Sequence, residues 1–297
     1  MSIKTSFTIK DLENLSGIKA HTIRIWEKRY NLLQPERTDS NIRTYNLDSL
    51  QKILSISIIN NQGVKVSKIA CLNRQDINDK ILEITAVSKS IEPHVNELKM
   101  AMLKFDQNRF NETYKKLAAD YSIVEIFSKV FFPLLENIGL LWISSTITPA
   151  HEHFITNLVK QKLLIAIGQL TENIPPNDKT FVLFLPLNEI HDIGLLLVHH
   201  ELLSRGYKSI YLGQSIPIEN LILMQNVFDK ITYVSYFTVS PTEICLQDYF
   251  NKVHETVLKP KKEKLHLLGR KIKDCTASIP SSITVHTDAL EMIKLWS

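Results

Sequence analysis

Thr22-Ile-Arg-Ile-Trp-Glu-Lys-Arg-Tyr30 is the stretch that decides the fold of the N-terminal part of this chain. Its residues Ile23, Trp26 and Tyr30 recur at helical spacing and predict a helix from about Lys19 to Tyr30 with one face towards a core. A second face of the same helix carries basic residues at i, i+3 and i+7: His21, Arg24 and Lys28. This basic stripe is suited to a helix that meets a polyanion.

A shorter helix precedes this one, and an extended hairpin follows it. Thr8 and Asp11 mark a helix start, and Ser16-Gly17 ends that helix. Residues 34–45 form two extended pieces around the turn-forming Asp39-Ser40-Asn41. The sequence therefore predicts an all-α winged helix-turn-helix, whose second helix enters the major groove of DNA.

The charge distribution also favours DNA binding by the N-terminal region. Residues 1–75 hold 12 Lys+Arg against 6 Asp+Glu, whereas 76–179 hold 11 against 13 and 180–297 hold 12 against 12. A local basic excess is typical of a module that binds phosphates, although a solvated lysine-rich face is the alternative. Arg37 and Arg43 add guanidinium groups to the arms of the hairpin.

The remaining composition limits the compartment. No run of 18 consecutive apolar residues is present, and the three cysteines lie far apart in the sequence. We therefore expect a cytoplasmic protein without a membrane span, a disulfide framework or a cysteine-metal site.

Two further domains are predicted after the N-terminal module. Apolar stripes at 3–4 spacing predict a four-helix bundle over about 89–172. Beyond it, short apolar strands alternate with helical segments and predict a Rossmann-like, doubly wound α/β domain with a parallel sheet. The expected domains are 1–75, 76–172 and 180–297. The five candidate strands are Phe181–Leu187, Ser209–Leu212, Ile231–Phe237, Leu265–Leu268 and Ile283–Val285.

The loop after the first of these strands contains a histidine between two carboxylates. His191 lies between Glu189 and Asp192, and Gly194 lets the next helix approach closely. The loop has no glycine-rich phosphate motif, which disfavours a dinucleotide cofactor. A neutral histidine held by a carboxylate is a common metal-ligand arrangement, and a hydrogen-bonded surface histidine is the alternative.

The N-terminal strings Thr22–Tyr30, Leu33–Thr38 and Ile42–Tyr45 resemble the winged helix-turn-helix of MerR-type transcription regulators. The resemblance covers about residues 7–60 and leaves Trp26 in the core. From the residues alone, Arg29 as a solvated charge and Tyr45 as a packing residue stay open as alternatives. The DNA contacts that the resemblance implies are His21, Thr22, Arg24, Lys28, Arg29, Arg37, Arg43 and Tyr45.

The loop Glu189-x-His191-x-x-Gly194, with Ser235-Tyr-Phe-Thr238, resembles the cobalamin-binding α/β domain, in which the loop histidine is the lower ligand of cobalt. The whole chain is similar to the light-responsive CarH/LitR-type repressors, where a Trp-x9-Glu-His motif on the bundle covers the upper face of adenosylcobalamin. The resemblance implies His191 as the cobalt ligand. The cofactor-binding residues that it implies are Trp142, Glu152, His153, Glu189, His191, Asp192, Gly194, Ser235, Thr238, Gly269 and Arg270.

Three positions depart from that family's pattern. Phe154 stands where a third histidine often follows Glu-His, and Ile143 stands where light-sensing members can carry a histidine. Arg270 replaces the second residue of a Gly-Gly pair along which the nucleotide tail of cobalamin normally lies. Arg270 either crowds the tail or pairs with its phosphate.

The expected function is a non-enzymatic transcription repressor that responds to adenosylcobalamin and light. Its expected partners are a double-stranded DNA operator, further copies of itself in a dimer or tetramer, and an antirepressor protein. One rival is a MerR-type repressor whose degenerate sensor works without cofactor under the control of a protein partner. A second rival is a corrinoid methyltransferase-like protein.

Overall fold

The computed structural model describes residues 6–88, 90–170, 179–242, 244–273, 275 and 277–295. The chain divides into two compact units, Met1–Val159 and Lys160–Ser297, called here the first and second units. The helix-turn-helix region and the helices that follow it up to Ile143 lie in the first unit. The division into domains 1–75, 76–172 and 180–297 stays a prediction.

A helix-turn-helix opens the first unit. Thr8 caps the first helix as predicted, because its side chain accepts from the Asp11 backbone N–H and the Asp11 carboxylate accepts from the Thr8 N–H at 2.8 Å. Gly17, at φ 76°, ends that helix in a left-handed conformation that glycine adopts without strain. The helices are α1 Ile9–Ser16, α2 Ala20–Tyr30 and α3 Leu47–Asn61.

A small antiparallel sheet flanks these helices. Its strands, in the order β1-β3-β2, are β1 Phe7–Thr8, β2 Glu36–Arg37 and β3 Arg43–Tyr45. Phe7 pairs with Tyr45, so the residues before α1 add a third strand to the predicted hairpin. The all-α prediction was wrong here, because a two-residue strand is too short to show an alternating pattern.

Seven further helical elements continue from this region, and the apolar stripes predicted five of them as four helices. The four predicted helices are α6, α7, the continuous α8–α9 segment and α10. Phe110, Phe127 and Phe131 are buried at the centre of the first unit, with ring centroids of Phe127 and Phe131 5.0 Å apart. The elements are α4 Val66–Ile69, α5 Arg74–Ser88, α6 Glu92–Lys104, α7 Gln107–Asp120, α8 Ile123–Ile126, α9 Phe132–Ile143 and α10 Pro149–Leu170, with a π-helical turn Phe127–Phe131 between α8 and α9.

The continuous helix Ile123–Ile143 is long and apolar enough to cross a membrane by length and composition, with a mean hydropathy of 1.5. Polar residues such as Glu125, Lys129 and Glu136 interrupt this helix, so it contains no unbroken run of 18 apolar residues. Phe127, Phe131 and Leu134 of this helix are buried within the first unit, as in the core helix of a globular unit.

Two side-chain hydrogen bonds join α1 to later parts of the first unit. Asn14 Nδ2 on α1 donates to Thr146 Oγ1, in the α9–α10 loop, at 3.0 Å. Lys99 Nζ on α6 donates to the Leu15 carbonyl at 3.0 Å, and burial lowers the pKa of this amine. We call these two contacts the junction.

A five-stranded parallel sheet forms the second unit, in the order β5-β4-β6-β7-β8. All five predicted strands are present, and β5 is longer than predicted. The strands are β4 Thr180–Pro186, β5 Lys208–Ile216, β6 Ile231–Tyr236, β7 Lys264–Leu268 and β8 Ile283–Val285. The helices are α11 Ile193–Ser204, α12 Ile218–Met224, α13 Leu246–Val253, α14 Lys259–Lys261 and α15 Ala289–Lys294.

Both faces of the sheet are buried, which explains why β4 reads as a continuous apolar run. Val182 and Phe184 face a core that includes Phe250 of α13. Phe181 and Leu183 face a second core with residues of α11 and α15. The carboxyl ends of the strands therefore form the edge at which a ligand can meet loops of this unit.

A buried carboxylate, Glu189, joins two of those loops. It lies in the loop after β4, and its Oε2 accepts three backbone N–H groups from the loop after β6, whereas Oε1 accepts two from its own loop. Burial opposes its ionisation, but these bonds and the His191 side chain bring its pKa to about 2. The backbone donors are Thr238, Val239 and Ser240 on Oε2, and Ile190 and His191 on Oε1, at 2.7 to 3.2 Å.

We expect Glu189→Gln to destabilise the chain by roughly 2–4 kcal/mol near neutral pH, because five backbone N–H groups lose a charged acceptor that is itself buried. The native pKa lies below the ordinary 4.5, so this carboxylate stabilises the fold fully above about pH 4.5 and loses its effect as the pH falls towards 2. Urea unfolding at neutral and acidic pH measures both effects.

Glu255→Gln is the control, because Glu255 forms an exposed ion pair with Lys259. It is expected to unfold like the wild type. Equal stability of Glu189→Gln and the wild type at neutral pH would contradict the assigned role.

Candidate functional site

The exposed side of α2 carries most of the predicted DNA contacts. His21, Arg24, Lys28 and Arg29 are exposed, and Thr22 is half-buried. The Arg29 guanidinium lies 5.5 Å from the centre of the Tyr30 ring. The structure thus presents a continuous set of basic groups on one helix, as the i, i+3, i+7 spacing predicted.

The hairpin contributes Arg37 and Arg43. Arg37 is exposed, and its Nη1 donates to the side chain of Asn41 at 2.5 Å across the turn. Arg43 and Arg24 line one cavity of about 240 Å³, together with Thr8 and Asn41. Two arginines predicted separately, on the helix and on the hairpin, are thus brought to the same place.

Tyr45 does not reach solvent. It is 2% exposed, and its hydroxyl donates to the Glu27 carboxylate, which raises the pKa of the phenol further than burial alone. Arg43 Nε lies 3.3 Å from the same carboxylate. The predicted direct DNA contact of Tyr45 is therefore wrong: Tyr45 and Glu27 hold β3 against α2. Sequence reasoning missed Glu27, although an acidic residue inside a basic helix was a visible signal.

The predicted upper-face residues lie around the α9–α10 loop. Trp142 is 51% exposed near the end of α9, Glu152 is half-buried and His153 is exposed in the first turn of α10. In the loop between them, the hydroxyls of Ser144 and Thr146 are 2.9 Å apart. Thr146 is also the residue that α1 contacts at the junction.

Phe154 occupies the position of the third histidine. Its ring contacts Phe105 edge-on, with centroids 5.3 Å apart, and Phe105 in turn stacks on His151 at 4.7 Å. An aromatic packing role therefore accounts for this departure from the family pattern.

The loop histidine lies at the carboxyl end of β4. His191 Nδ1 is 2.6 Å from Glu189 Oε1, and the His191 side chain is 51% exposed. Because Glu189 is ionised at neutral pH, Nδ1 carries the proton that this contact needs, and a metal would be coordinated through Nε2. Among the described residues no group of three His, Cys, Asp or Glu side chains is placed to hold a metal ion.

Asp192 has a different role from Glu189. It is buried, and its Oδ2 accepts from Lys160 Nζ at 2.5 Å, Gln214 Nε2 at 2.9 Å and the Tyr211 hydroxyl at 3.1 Å. The sequence left open which carboxylate orients His191, and the structure selects Glu189. Asp192 instead ties the loop to β5 and α10, through partners that no local pattern could have indicated.

The other predicted cofactor contacts lie at the same edge of the sheet. The Ser235 hydroxyl is buried and donates to the Phe184 carbonyl at 2.7 Å, so it serves to hold β6 to β4. The Thr238 N–H donates to Glu189, and Arg270 is exposed. Gly269 is in the left-handed region, at φ 114°, where glycine is favoured.

Comparison with known protein families identifies two regions. The model of the MerR HTH family regulatory proteins matches residues 7–75, which contain the basic helix and the hairpin. The model of a B12 binding domain matches residues 95–166, which run from α6 into α10 and include Trp142, Glu152 and His153.

Individual relatives cover more of the chain. It is 28% identical to the HTH-type transcriptional repressor CarH of Myxococcus xanthus over 222 residues, 73% of each chain. It is 22% identical to the repressor CarA of the same organism over 215 residues, 70% of this chain and 68% of CarA.

One solved structure has a fold similar to that of this chain. The monomethylamine corrinoid protein of Methanosarcina barkeri matches with a TM-score of 0.54 and 18% identity, over 70% of this chain and 98% of that one. This likeness concerns the fold. Together, the two family matches and the two repressors confirm the resemblance found in the sequence. The chain thus carries a helix-turn-helix region of the MerR type, followed by a B12 binding domain, and is similar to CarH over most of its length.

Proposed function

We propose that this chain is a transcriptional repressor that binds double-stranded operator DNA through α2 and the β2–β3 hairpin, and that adenosylcobalamin and light control its affinity for DNA. The observation that carries this proposal is the pairing, in one chain, of an exposed basic helix with a loop histidine fixed by a buried carboxylate. The similarity to CarH and CarA, both named repressors, supports repression.

For DNA, the side chains of α2 supply base-edge and phosphate contacts, and Arg37 and Arg43 supply phosphate contacts. Arg24 and Arg43 share a cavity wide enough for an anionic group between the helix and the hairpin. Guanidinium forks suit phosphate oxygens, so this cavity fits a backbone phosphate that fixes the register of α2 on the duplex.

The donor chemistry at the second unit fits a corrinoid, whose cobalt His191 would hold. His191 is half exposed and oriented through Nδ1, as a single nitrogen ligand requires. Trp142 offers a half-exposed aromatic face in the first unit, suited to contact with an adenosyl group, and Glu152 and His153 complete the matched motif. When bound, adenosylcobalamin would supply a cobalt–carbon bond that light cleaves.

The junction offers a route from the motif to the DNA-binding helices. Trp142 is the last residue but one of α9, and the Ser144–Thr146 hydroxyl pair in the next loop connects to Asn14 on α1. A change in the position of this end of α9 would move a group that is hydrogen-bonded to α1. We further propose that the regulator acts in the cytoplasm as a dimer or tetramer, that an antirepressor protein can bind it, and that it is not an enzyme.

One rival has specific support. A repressor with a cofactor-independent sensor, controlled by a protein partner, is favoured by Arg270 in the place of a glycine and by Ile143, which is 77% exposed where a histidine could stand. The fold likeness to a corrinoid protein is the observation behind a methyltransferase-like alternative. Corrinoid binding by the purified chain distinguishes the proposal from the cofactor-independent repressor. Operator binding distinguishes it from the methyltransferase-like protein.

Arg24→Ala is expected to weaken operator binding by roughly 1–3 kcal/mol, because it removes a guanidinium contact from the centre of the interface. Lys115→Ala, an exposed cation on α7, is the matched loss of charge outside the interface. Mobility shifts at fixed salt compare the two variants. Equal operator affinities of the two variants would contradict the placement of α2 in the DNA interface.

His191→Ala is expected to lose corrinoid binding or to give a bound spectrum without nitrogen ligation, while the first unit still binds DNA. Visible spectra recorded in the dark after removal of free adenosylcobalamin measure this. His254→Ala, a histidine that contacts Ser282, is the control. A His191→Ala spectrum identical to that of the wild type would exclude the axial role.

Trp142→Ala is expected to lose the preference for adenosylcobalamin over methylcobalamin more than cobalamin binding itself, because the aromatic face would contact the upper ligand. Ile143→Ala, its exposed neighbour, should keep the preference. A Trp142→Ala variant with a lower melting temperature and an unchanged preference would show that Trp142 acts only in packing.

A further inference from the structure

We propose that Tyr236 closes the edge of the sheet to the nucleotide tail of a corrinoid, so that the second unit selects for the corrin ring and its axial ligand and not for the tail. This inference rests on the proposed function. If His191 ligates cobalt from below, the nucleotide base that cobalamin carries at that position is displaced. The tail, with its phosphate, ribose and base, must then be placed elsewhere.

The space beside Gly194 is already filled by this chain. Gly194 is the second residue of α11, three residues after His191. A Cβ built on Gly194 would lie 2.7 Å from Cε2 and 2.8 Å from Cζ of the Tyr236 ring. Tyr236 also packs against the buried core that includes Phe181 and Leu195. Because the ring packs against the core and touches the start of α11, it fills the space between the sheet and this helix in the structure.

The space beside the second glycine, Gly269, is filled by backbone atoms of this chain. A Cβ on Gly269 would lie 2.2 Å from the Phe237 carbonyl oxygen. Phe237 N–H donates to the Leu268 carbonyl at 2.8 Å, and Lys271 N–H donates to the Phe237 carbonyl at 3.0 Å. The ends of β6 and β7 are therefore closed against each other by hydrogen bonds, and Gly269 serves this close approach.

A different opening at this edge does not suit the tail. A cavity of about 120 Å³ lies beside Leu187, Ile216 and Pro241. Its lining is mostly apolar, and its cation, Lys252, is paired with Glu219 at 2.7 Å. A phosphodiester placed there would meet a carboxylate and an already neutralised amine.

The consequence is a reversed preference between two corrinoids. Cobinamide lacks the nucleotide, whereas cobalamin must break its own base–cobalt bond before His191 can ligate. With the sheet edge closed, the tail gains no contacts that offset this cost. Tyr236 is thus a specificity-determining residue, because its ring fills the space beside Gly194.

The experiment is equilibrium dialysis of the full chain in the dark against adenosylcobinamide and adenosylcobalamin, read by corrin absorbance. We expect the wild type to bind adenosylcobinamide about tenfold or more tightly than adenosylcobalamin, equivalent to about 1.4 kcal/mol. Tyr236→Ala removes the ring and should tighten adenosylcobalamin binding selectively. Tyr236→Phe, which keeps the ring, should retain the wild-type ratio.

The outcomes separate this inference from the proposed function. A wild type that prefers adenosylcobalamin would overturn the role of Tyr236 and leave the corrinoid site standing. Binding of neither corrinoid to the wild type, Tyr236→Ala or Tyr236→Phe would overturn both. Adenosylcobalamin binding gained only by Tyr236→Ala would support the role of Tyr236 and overturn the proposed control of the wild type by adenosylcobalamin. If Tyr236→Ala fails to fold, two measurements test the role of Tyr236 instead. They are the ratio of the wild-type affinities for the two corrinoids and the same ratio for Tyr236→Leu.

Discussion

The Glu189 carboxylate is the interaction on which the arrangement of the second unit depends. It is wholly buried at the carboxyl end of the sheet and accepts backbone N–H groups from the loops after β4 and β6. The same carboxylate holds Nδ1 of His191. An ionised group can be buried only when so many donors compensate for its lost hydration. One group therefore fixes the loops, keeps them together and orients the histidine between them.

A carboxylate also fixes neighbouring elements in the first unit. Glu27 is a nearly buried acid on the basic helix α2, and it accepts from Tyr45 and contacts Arg43. It therefore fixes the hairpin against α2 while the exposed cations of α2 face solvent. In both units a buried carboxylate sets the orientation of the groups that we propose to meet the ligand, and neither carboxylate needs to contact that ligand.

The α9–α10 loop lies between Trp142, the proposed sensor residue, and a contact with the helix-turn-helix. Trp142 precedes it, and Thr146 within it contacts α1 of the helix-turn-helix. A hydrogen bond between short polar side chains is sensitive to displacements of less than an ångström, because its geometry tolerates little change. In the proposed function, this loop is where the state of a sensor residue would reach the DNA-binding helices.

The sequence by itself determined the elements whose signals are local or periodic: the cap at Thr8, the basic face of α2, the four long helices, the five strands and the position of His191. It did not determine which carboxylate orients His191, that Tyr45 is buried, or that Tyr236 fills the space beside Gly194. Those depend on pairs of residues far apart in the chain, and only packing in three dimensions decides which side chain occupies a shared space.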